Sequence, residues 1–301
     1  MRTVPILVLL LGACGGDDDG GGGGDGGERP DAADPGRTDG GGDDGACTPA
    51  RRHARFTVTA SATMGGVYGA WDDRPYPAPD APEVEEGGCF FVGPASHFCD
   101  PPCDGATICT ADETCQPLPV TLPAGTVHIG GTDPELDLDP QPGNSYYTTE
   151  NHPGLYQPGD VITVSSEGAG DVPAFEISAR GVPELTVPWE SVTATEHQDM
   201  TVTWDADDTS PAGTQVVLHM DNDHHGVRAY VECWSDDTGA LTVPAAVLDP
   251  LILAGESGIG TYIENAWMAR RNRGTIDTDS GCAVLDGESQ IFIAVETVRA
   301  R

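Results

Sequence analysis

Three acidic side chains in the C-terminal half of the chain lie at a spacing that could hold a metal ion. Asp221, Asp223 and Glu232 occupy the first, third and last positions of the twelve-residue segment DNDHHGVRAYVE. Carboxylate oxygens are preferred ligands of Ca²⁺, and Gly226 stands where a sharp turn would let the three groups converge. The spacing therefore predicts a tentative calcium site at Asp221, Asp223 and Glu232.

The same segment departs from the EF-hand calcium loop that it resembles. His225 stands where a hard cation takes an oxygen ligand, and Arg228 replaces the usual apolar residue. The flanking stretches TQVVLHM and VRAYVECW alternate like strands rather than helices. The alternative interpretation is a β-hairpin whose loop contains Asn, Asp and Gly because turns favour them. Calcium is thus the one candidate cofactor, and the default expectation is that there is none.

The chain contains nine cysteines, which could form disulfides or bind a metal. Five cysteines lie within residues 89–115, and their spacing lacks the paired C-x2-C knuckles of structural zinc sites. We therefore predict an insert that is held together by disulfides, with Cys47 as a candidate sixth member. Six cysteines allow 15 pairings, and the spacing does not choose among them. Cys233 and Cys282 lie in strand-like contexts and are a plausible further pair. The predicted disulfide cysteines are Cys47, Cys89, Cys99, Cys103, Cys109, Cys115, Cys233 and Cys282.

The ninth cysteine, Cys14, has a different setting. Arg2 and the eight apolar residues 4–11 have the size of an export signal, and they are too few to span a bilayer, which takes about 20. The sequence Leu11-Gly12-Ala13-Cys14 resembles the bacterial lipobox, which implies that the thiol of Cys14 is acylated after cleavage of the signal peptide 1–13. Gly15 rather than aspartate after the cysteine implies sorting to the outer membrane. With Cys14 acylated, the eight other cysteines can all pair.

Residues 14–46 read as a tether. Of residues 15–46, 14 are Gly and 9 are Asp, so the segment has almost nothing apolar to bury and we expect disorder. A Gly-rich coil of this length spans about 30 Å r.m.s..

The whole chain has a formal net charge of −35 and contains no lysine, which argues against nucleic-acid binding because phosphate contacts need a basic surface.

The folded part is predicted to be all-β. Alternating segments such as ARFTVTASATM (54–64), DVITVSSE (160–167) and AFEISA (174–179) predict short antiparallel strands, and Pro and Gly separate them closely. The single helical candidate, PAAVLDPLIL, is interrupted by Pro250. These patterns predict an Ig-like β-sandwich fold in two units. The first unit is a β region over 47–180 that carries the cysteine-rich insert (89–115), and the second is an Ig-like sandwich over 181–301.

Three sequence blocks extend these expectations. GGCFFVGPASHFCDPPCDGATICTADETCQPLPVTLPAGTVHIGG, PGDVITVSSEGAGDVPAFEIS and VECWSDDTGALTVPAAVLD occur in this order. In this order they resemble a family of uncharacterised bacterial outer-membrane lipoproteins with a cysteine-rich loop and sandwich-like segments. The resemblance implies the architecture above and transfers no activity.

Known catalytic patterns are missing from the sequence. There is no H-E-x-x-H, and GESGIG (255–260) fails the G-x-S-x-G pattern because Ile259 replaces the last Gly. We therefore expect a non-catalytic, lipid-anchored module of the cell envelope that binds an envelope protein or polysaccharide, or that serves structurally. The alternatives are a calcium-dependent adhesion or glycan-binding module and, more weakly, a secreted-type hydrolase with an unrecognised site.

Overall fold

A computed structural model describes residues 47–77, 81–93, 99–224, 227–254, 262–263, 265–279 and 281–300, and the side chains of residues 223, 224, 227, 228 and 262 are not described. The first half contains a short 3-10 turn, Pro49–Arg51, and eleven strands: β1 Arg52–Ala60, β2 Gly65–Trp71, β3 Val84–Glu86, β4 Cys89–Val92, β5 Thr107–Cys109, β6 Cys115–Pro117, β7 Val127–Gly130, β8 Leu136–Leu138, β9 Tyr146–Tyr147, β10 Val161–Ser166 and β11 Phe175–Arg180. The second half contains one helix, α1 Ala245–Ala254, and nine strands: β12 Ser191–Thr195, β13 Met200–Thr203, β14 Gln215–His224, β15 Val227–Asp236, β16 Ala240–Val243, β17 Tyr262–Ile263, β18 Asn265–Thr278, β19 Gly281–Phe292 and β20 Ala294–Val298. No helix among these residues is both long and apolar enough to cross a membrane.

One nine-stranded sheet forms the framework of the described fold. Its strand order is β3-β4-β15-β14-β18-β19-β1-β2-β9. Neighbours pair antiparallel except β1 and β19, which run parallel from Arg52 opposite Cys282 to Thr59 opposite Glu288. The middle strands of this sheet come from the second predicted unit and the strands at both ends come from the first, so the boundary predicted near residue 180 does not separate two sheets.

Two apolar cores lie on one face of the nine-stranded sheet, which we call the core face. The first core joins Leu218, Val231 and Met268 to α1 and to the short strands β13, β16, β17 and β20. The second core joins Phe56 and Leu285 to a four-stranded sheet of order β11-β10-β7-β8. Sheet packed on sheet confirms the predicted all-β sandwich class.

Helix α1 continues through the proline that was expected to interrupt it. Pro250 lies inside the helix, where it lacks the N–H for one backbone hydrogen bond. Four fully or nearly buried side chains fix the helix on the first core: Val247, Leu248, Leu251 and Ile252. Burial of each such side chain contributes roughly 1.5–3 kcal/mol, so the four together exceed the cost of about 3 kcal/mol for a proline inside a helix.

A buried arginine ties three loops to the first core. The guanidinium of Arg270, fully buried in β18, donates to the backbone oxygens of Glu184 at 2.8 Å and Asp205 at 2.6 Å. The same group lies 2.8 Å from the carboxylate of Asp237, which also accepts from Trp204 and Ser210. These protein acceptors replace the water that the guanidinium loses on burial. Their bonds to Arg270 hold three loops that contain little regular secondary structure.

Candidate functional site

The other face of the nine-stranded sheet, which we call the charged face, carries polar chemistry. Because side chains alternate along a strand, residues that neighbour the core positions point to this face. Strand β14 places His219 and Asp221 there, at positions that alternate with the core residues Leu218 and Met220. The charged face includes Arg52, Arg55, Thr57, Phe90, Val92, Val217, His219, Asp221, Tyr230, Glu232, Trp234, Trp267, Ala269, Arg271, Arg273, Cys282, Val284, Asp286 and Glu288.

Within the described residues, the helices and strands that pack across this sheet lie on its core face. The side chains of α1, β16 and β17 belong to the first core, and those of β11 belong to the second. The small apolar clusters of the charged face contain sheet residues, joined only by Cys47. Several charged groups there are nevertheless almost free of solvent, so their charges interact in a low-dielectric environment.

Two carboxylates hold one histidine on this face. His219 Nε2 lies 3.3 Å from Asp221 Oδ2, and His219 Nδ1 lies 3.3 Å from Glu232 Oε2. Glu232 faces His219 directly across the β14–β15 pair, and its second oxygen accepts from the Trp234 indole N–H at 2.9 Å. Burial opposes the charged imidazolium, but the hydrogen bonds and charges of Asp221 and Glu232 outweigh burial and raise the pKa of His219.

Aromatic rings complete this arrangement. The His219 imidazole stacks on Trp267 at 5.0 Å between ring centroids and on Tyr230 at 5.5 Å. A protonated imidazole between two aromatic faces gains cation–π attraction in addition to its ion pairs. Two carboxylates and two aromatic rings thus fix the buried His219 from four sides.

A ladder of arginines and carboxylates crosses β18, β19 and β1 beside the histidine. Arg273 donates to both oxygens of Asp286, at 2.7 and 3.0 Å, and Arg55 reaches the same carboxylate at 2.7 Å. Arg271 Nε donates to Glu288 at 2.8 Å. Burial alone would raise the pKa of Asp286, but Arg273, Arg271 and Arg55 together hold it well below its usual range.

The structure describes two of the three predicted calcium ligands, Asp221 and Glu232, at side-chain level. The described backbone of the predicted loop, residues 221–224 and 227–232, is strand, with Asp221 opposite Tyr230 and Asp223 opposite Arg228. Asp221 and Glu232 contact opposite edges of the His219 ring rather than a common point. The side chain of Asp223 and residues 225–226 lie outside the described part of the structure. Asp221 and Glu232 hold a histidine between them, and calcium binding at this segment stays a prediction.

All eight predicted disulfide cysteines form disulfides, but the one pair that was suggested is not among them. Cys47 bonds Cys282, and Cys89 bonds Cys233, so the suggested Cys233–Cys282 pair is wrong. Cys89 lies in β4 directly opposite Cys233 in β15, on the core face, whereas Cys282 points to the charged face. Because their side chains point to opposite faces of the sheet, Cys233 and Cys282 cannot bond to each other.

Cys47 also does not belong to the insert. The insert contains the pairs Cys99–Cys109 and Cys103–Cys115, which staple the small hairpin of β5 and β6. Sulfur atoms of Cys99, Cys103 and Cys115 lie within 4.8 Å of one another, but they are committed to these bonds. Cys14, the predicted lipidation site, lies outside the described residues.

Sequence reasoning missed the charged face. The segment AWMARRNR places Arg271 and Arg273 at alternate positions, which is the spacing of one face of a strand, but nothing in the segment indicates which residues face them. Arg52 and Arg55 are more than 200 residues away along the chain and join them through the parallel β1–β19 pairing. No local pattern reports such a pairing. The available signal was the alternation of Arg271 and Arg273 with buried neighbours in a strand.

Comparison with known proteins adds little to this geometry. No protein-family model and no curated protein matches the chain. Among solved structures, the chain is similar to the fibronectin FN1–FN3 domains of chicken CNTN1, at 9% identity over 82% of this chain and 66% of that chain, with a TM-score of 0.21. The chain thus spans just under two thirds of that protein chain, and at this TM-score the similarity carries no conclusion about function.

Proposed function

We propose that this protein is a non-catalytic binding module anchored to the cell envelope through Cys14, and that it binds its partner with the charged face. The observation that carries the binding half is the charged face itself. It gathers side chains from six adjacent strands, while the described elements that cross-pack the sheet lie on the other face.

The composition of the charged face suits recognition. Arg is among the residues that most often dominate binding energy at interfaces, and Arg55 and Arg273 are partly exposed beside the largely buried rings of Tyr230, Trp234 and Trp267. Ion pairs and ring stacking hold these groups in place before a partner arrives, which lowers the entropic cost of binding.

The anchor half of the proposal rests on the sequence Leu11-Gly12-Ala13-Cys14 and on parity. The eight described cysteines are all consumed in four disulfides, which is the expected arrangement if Cys14 is reserved for acylation. Stable anchoring requires more than one acyl chain, as in lipoproteins of this kind. The outer membrane is the proposed location because Gly15 follows the cysteine.

Intact mass spectrometry of the mature protein tests the anchor. We expect a chain that begins at Cys14 with added acyl mass, and we expect the Cys14→Ser variant to leave the membrane fraction. A mature chain with an unmodified cysteine, or cleavage at another position, would refute the anchor.

Substitution on the two outer surfaces of the sandwich tests the binding half. Thr57, half-buried on the charged face, is replaced by Trp, and Thr163 on the outer side of the four-stranded sheet receives the same change as the control. We expect T57W to stop retrieval of an envelope component by the mature protein and T163W to leave it unchanged. Equal retrieval by both variants would contradict the assignment of the face.

A further inference from the structure

Four sulfur atoms lie together on one side of the small hairpin formed by β5 and β6. Cys109 ends β5 and lies directly opposite Cys115, the first residue of β6, so both side chains point to the same side of the hairpin. Cys99 reaches this side through its bond to Cys109. Cys103 reaches it through its bond to Cys115. We call these four residues the sulfur cluster.

The spacing of these sulfur atoms suits a single metal ion. The Sγ atoms of Cys99, Cys103 and Cys115 all lie within 4.8 Å of one another. Zn²⁺ takes four thiolates at the corners of a tetrahedron with Zn–S bonds of about 2.3 Å, which places the sulfurs about 3.8 Å apart. Once the disulfides are opened, side-chain rotation alone can bring three sulfurs to these corners, and Cys109 supplies the fourth.

The fold supplies the ligands as two close pairs, which is how structural zinc sites are built. Cys99 and Cys103 have the spacing C-x3-C, which lies within the usual range of C-x2-C to C-x4-C. Cys109 and Cys115 are further apart in sequence, but the hairpin places them side by side. The pairing of β5 with β6 therefore replaces the second short spacing that the sequence lacks.

The sulfur cluster is open to solvent, unlike the other two disulfides. Cys115 is exposed and the other three members are partly exposed. The cysteines of the other two disulfides are at most 2% exposed: Cys47, Cys89, Cys233 and Cys282. A reductant in solution therefore reaches the insert first, while the two buried disulfides continue to cross-link the rest of the fold. Cysteines are thiols in a reducing compartment and pair in an oxidising one, so both forms of the cluster are chemically accessible.

The surroundings of the sulfur cluster favour a cation. The sequence contains no arginine or lysine between Arg74 and Arg180, so this long segment brings no positive side chain near an incoming metal ion. Two carboxylates of the insert shape its turns: Asp104 accepts from the Thr107 hydroxyl at 3.0 Å, and Asp112 accepts from the Thr114 hydroxyl at 2.8 Å. Their negative charge attracts a cation, whereas the soft thiolates are the better ligands for Zn²⁺.

We propose that the sulfur cluster in its thiol form binds one Zn²⁺ ion, and that closure of its two disulfides releases the ion. Binding replaces four S–H bonds with four Zn–S bonds and frees four protons. In the release step, two molecules of a small disulfide accept two electrons each and leave as four thiolates, while the two protein disulfides form and Zn²⁺ departs. This inference is independent of the partner bound by the charged face.

Zinc titration of the mature protein before and after reduction tests the site. A water-soluble phosphine converts each disulfide to two thiols as it takes the oxygen of one water molecule, and alkylation followed by mass spectrometry identifies the opened cysteines. We expect the reduced protein to bind one equivalent of Zn²⁺ more than the disulfide form. Co²⁺ in place of Zn²⁺ should give the visible absorption of a tetrahedral thiolate complex, which added Zn²⁺ should abolish. Equal zinc binding by the two forms would overturn the proposal.

Three variants, reduced in the same way, localise the site. Removal of a hydrogen-bond partner of a metal ligand typically costs about 10–100-fold in affinity, so loss of a ligand in Cys115→Ser should cost more than about 100-fold. The fourfold variant C99S/C103S/C109S/C115S retains the buried cysteines and reports any zinc that they bind. Asp112→Asn is the matched control outside the sulfur cluster and should bind zinc like wild type. Unchanged affinity in C115S, wild-type affinity in the fourfold variant, or loss of binding in D112N would overturn the proposal.

The release step has its own test. Oxidised glutathione added to the zinc-loaded protein should close the two disulfides of the insert and deliver one equivalent of Zn²⁺ to a chromogenic chelator. Mass spectrometry should show the pairs Cys99–Cys109 and Cys103–Cys115 in the product. Retention of Zn²⁺ after both disulfides have closed would overturn the proposal.

Discussion

Removal of the Cys47–Cys282 disulfide should destabilise the protein far more than removal of a disulfide in the insert. The two partners are 235 residues apart in sequence, whereas Cys99 and Cys109 are 10 apart. A cross-link stabilises mainly by restricting the unfolded chain. Because the Cys89–Cys233 bond shortens the long loop to about 92 residues, the loop-entropy relation gives about 4.6 kcal/mol for Cys47–Cys282 and about 2.7 kcal/mol for Cys99–Cys109. The expected difference of about 2 kcal/mol is a large part of the stability of a typical domain.

Urea unfolding of the double variants C47A/C282A and C99A/C109A measures this difference. We expect the first variant to unfold at a much lower urea concentration than the second. C103A/C115A is the matched control, because its partners are 12 residues apart and the relation gives about 2.8 kcal/mol. A loss of stability in the insert variants equal to or greater than that of C47A/C282A would refute the reasoning.

Three more predictions follow from the packing. Replacement of Arg270 by Met leaves the buried Asp237 without its cation and should lower the free energy of unfolding by about 3–5 kcal/mol. Urea unfolding measures this change, and a loss below about 1 kcal/mol would contradict the role of Arg270. His219 has a raised pKa in the folded protein, so the stability that its protonated form contributes is complete below its unfolded pKa of about 6.5 and is lost as the pH rises through the folded pKa. The stability difference between wild type and H219Q should therefore shrink from pH 6 upward, and a difference that is constant or grows over that range would refute the ion-pair account. A methyl group at Gly274 would lie 1.7 Å from the backbone oxygen of Ser178, so G274A should lower the melting temperature, while G105A, with nothing within 4 Å, should not; equal melting temperatures would contradict the close packing of β18 on β11.

Local patterns predicted the class of the fold and several of its elements. The alternation in VITVSS and FEISAR placed β10 and β11, and the two stretches around residue 225 formed the expected hairpin. The hairpin strands are longer than expected, because β14 continues through Asp221 to His224 and β15 begins at Val227. Polar residues in a strand resemble a loop in sequence, and only their partners in the folded sheet reveal the difference.

Contacts between residues far apart in the chain could not be predicted from the sequence. Cys89 pairs with Cys233 because β4 lies beside β15, and no spacing rule connects residues 144 apart. The parallel contact of β1 with β19 brings the N-terminal arginines to the carboxylates of Asp286 and Glu288. The candidate site therefore depends on register between distant strands, whereas the predicted calcium site relied on spacing within one segment.

Site-specific photo-crosslinking in intact cells tests the central claim most directly. A photoreactive amino acid at Thr57 reports on the charged face, and one at Thr163 reports on the outer side of the four-stranded sheet. If the charged face binds an envelope partner, the probe at Thr57 should give a discrete adduct and the probe at Thr163 should give none. Adducts from Thr163 alone, or the same adducts from both positions, would contradict the account.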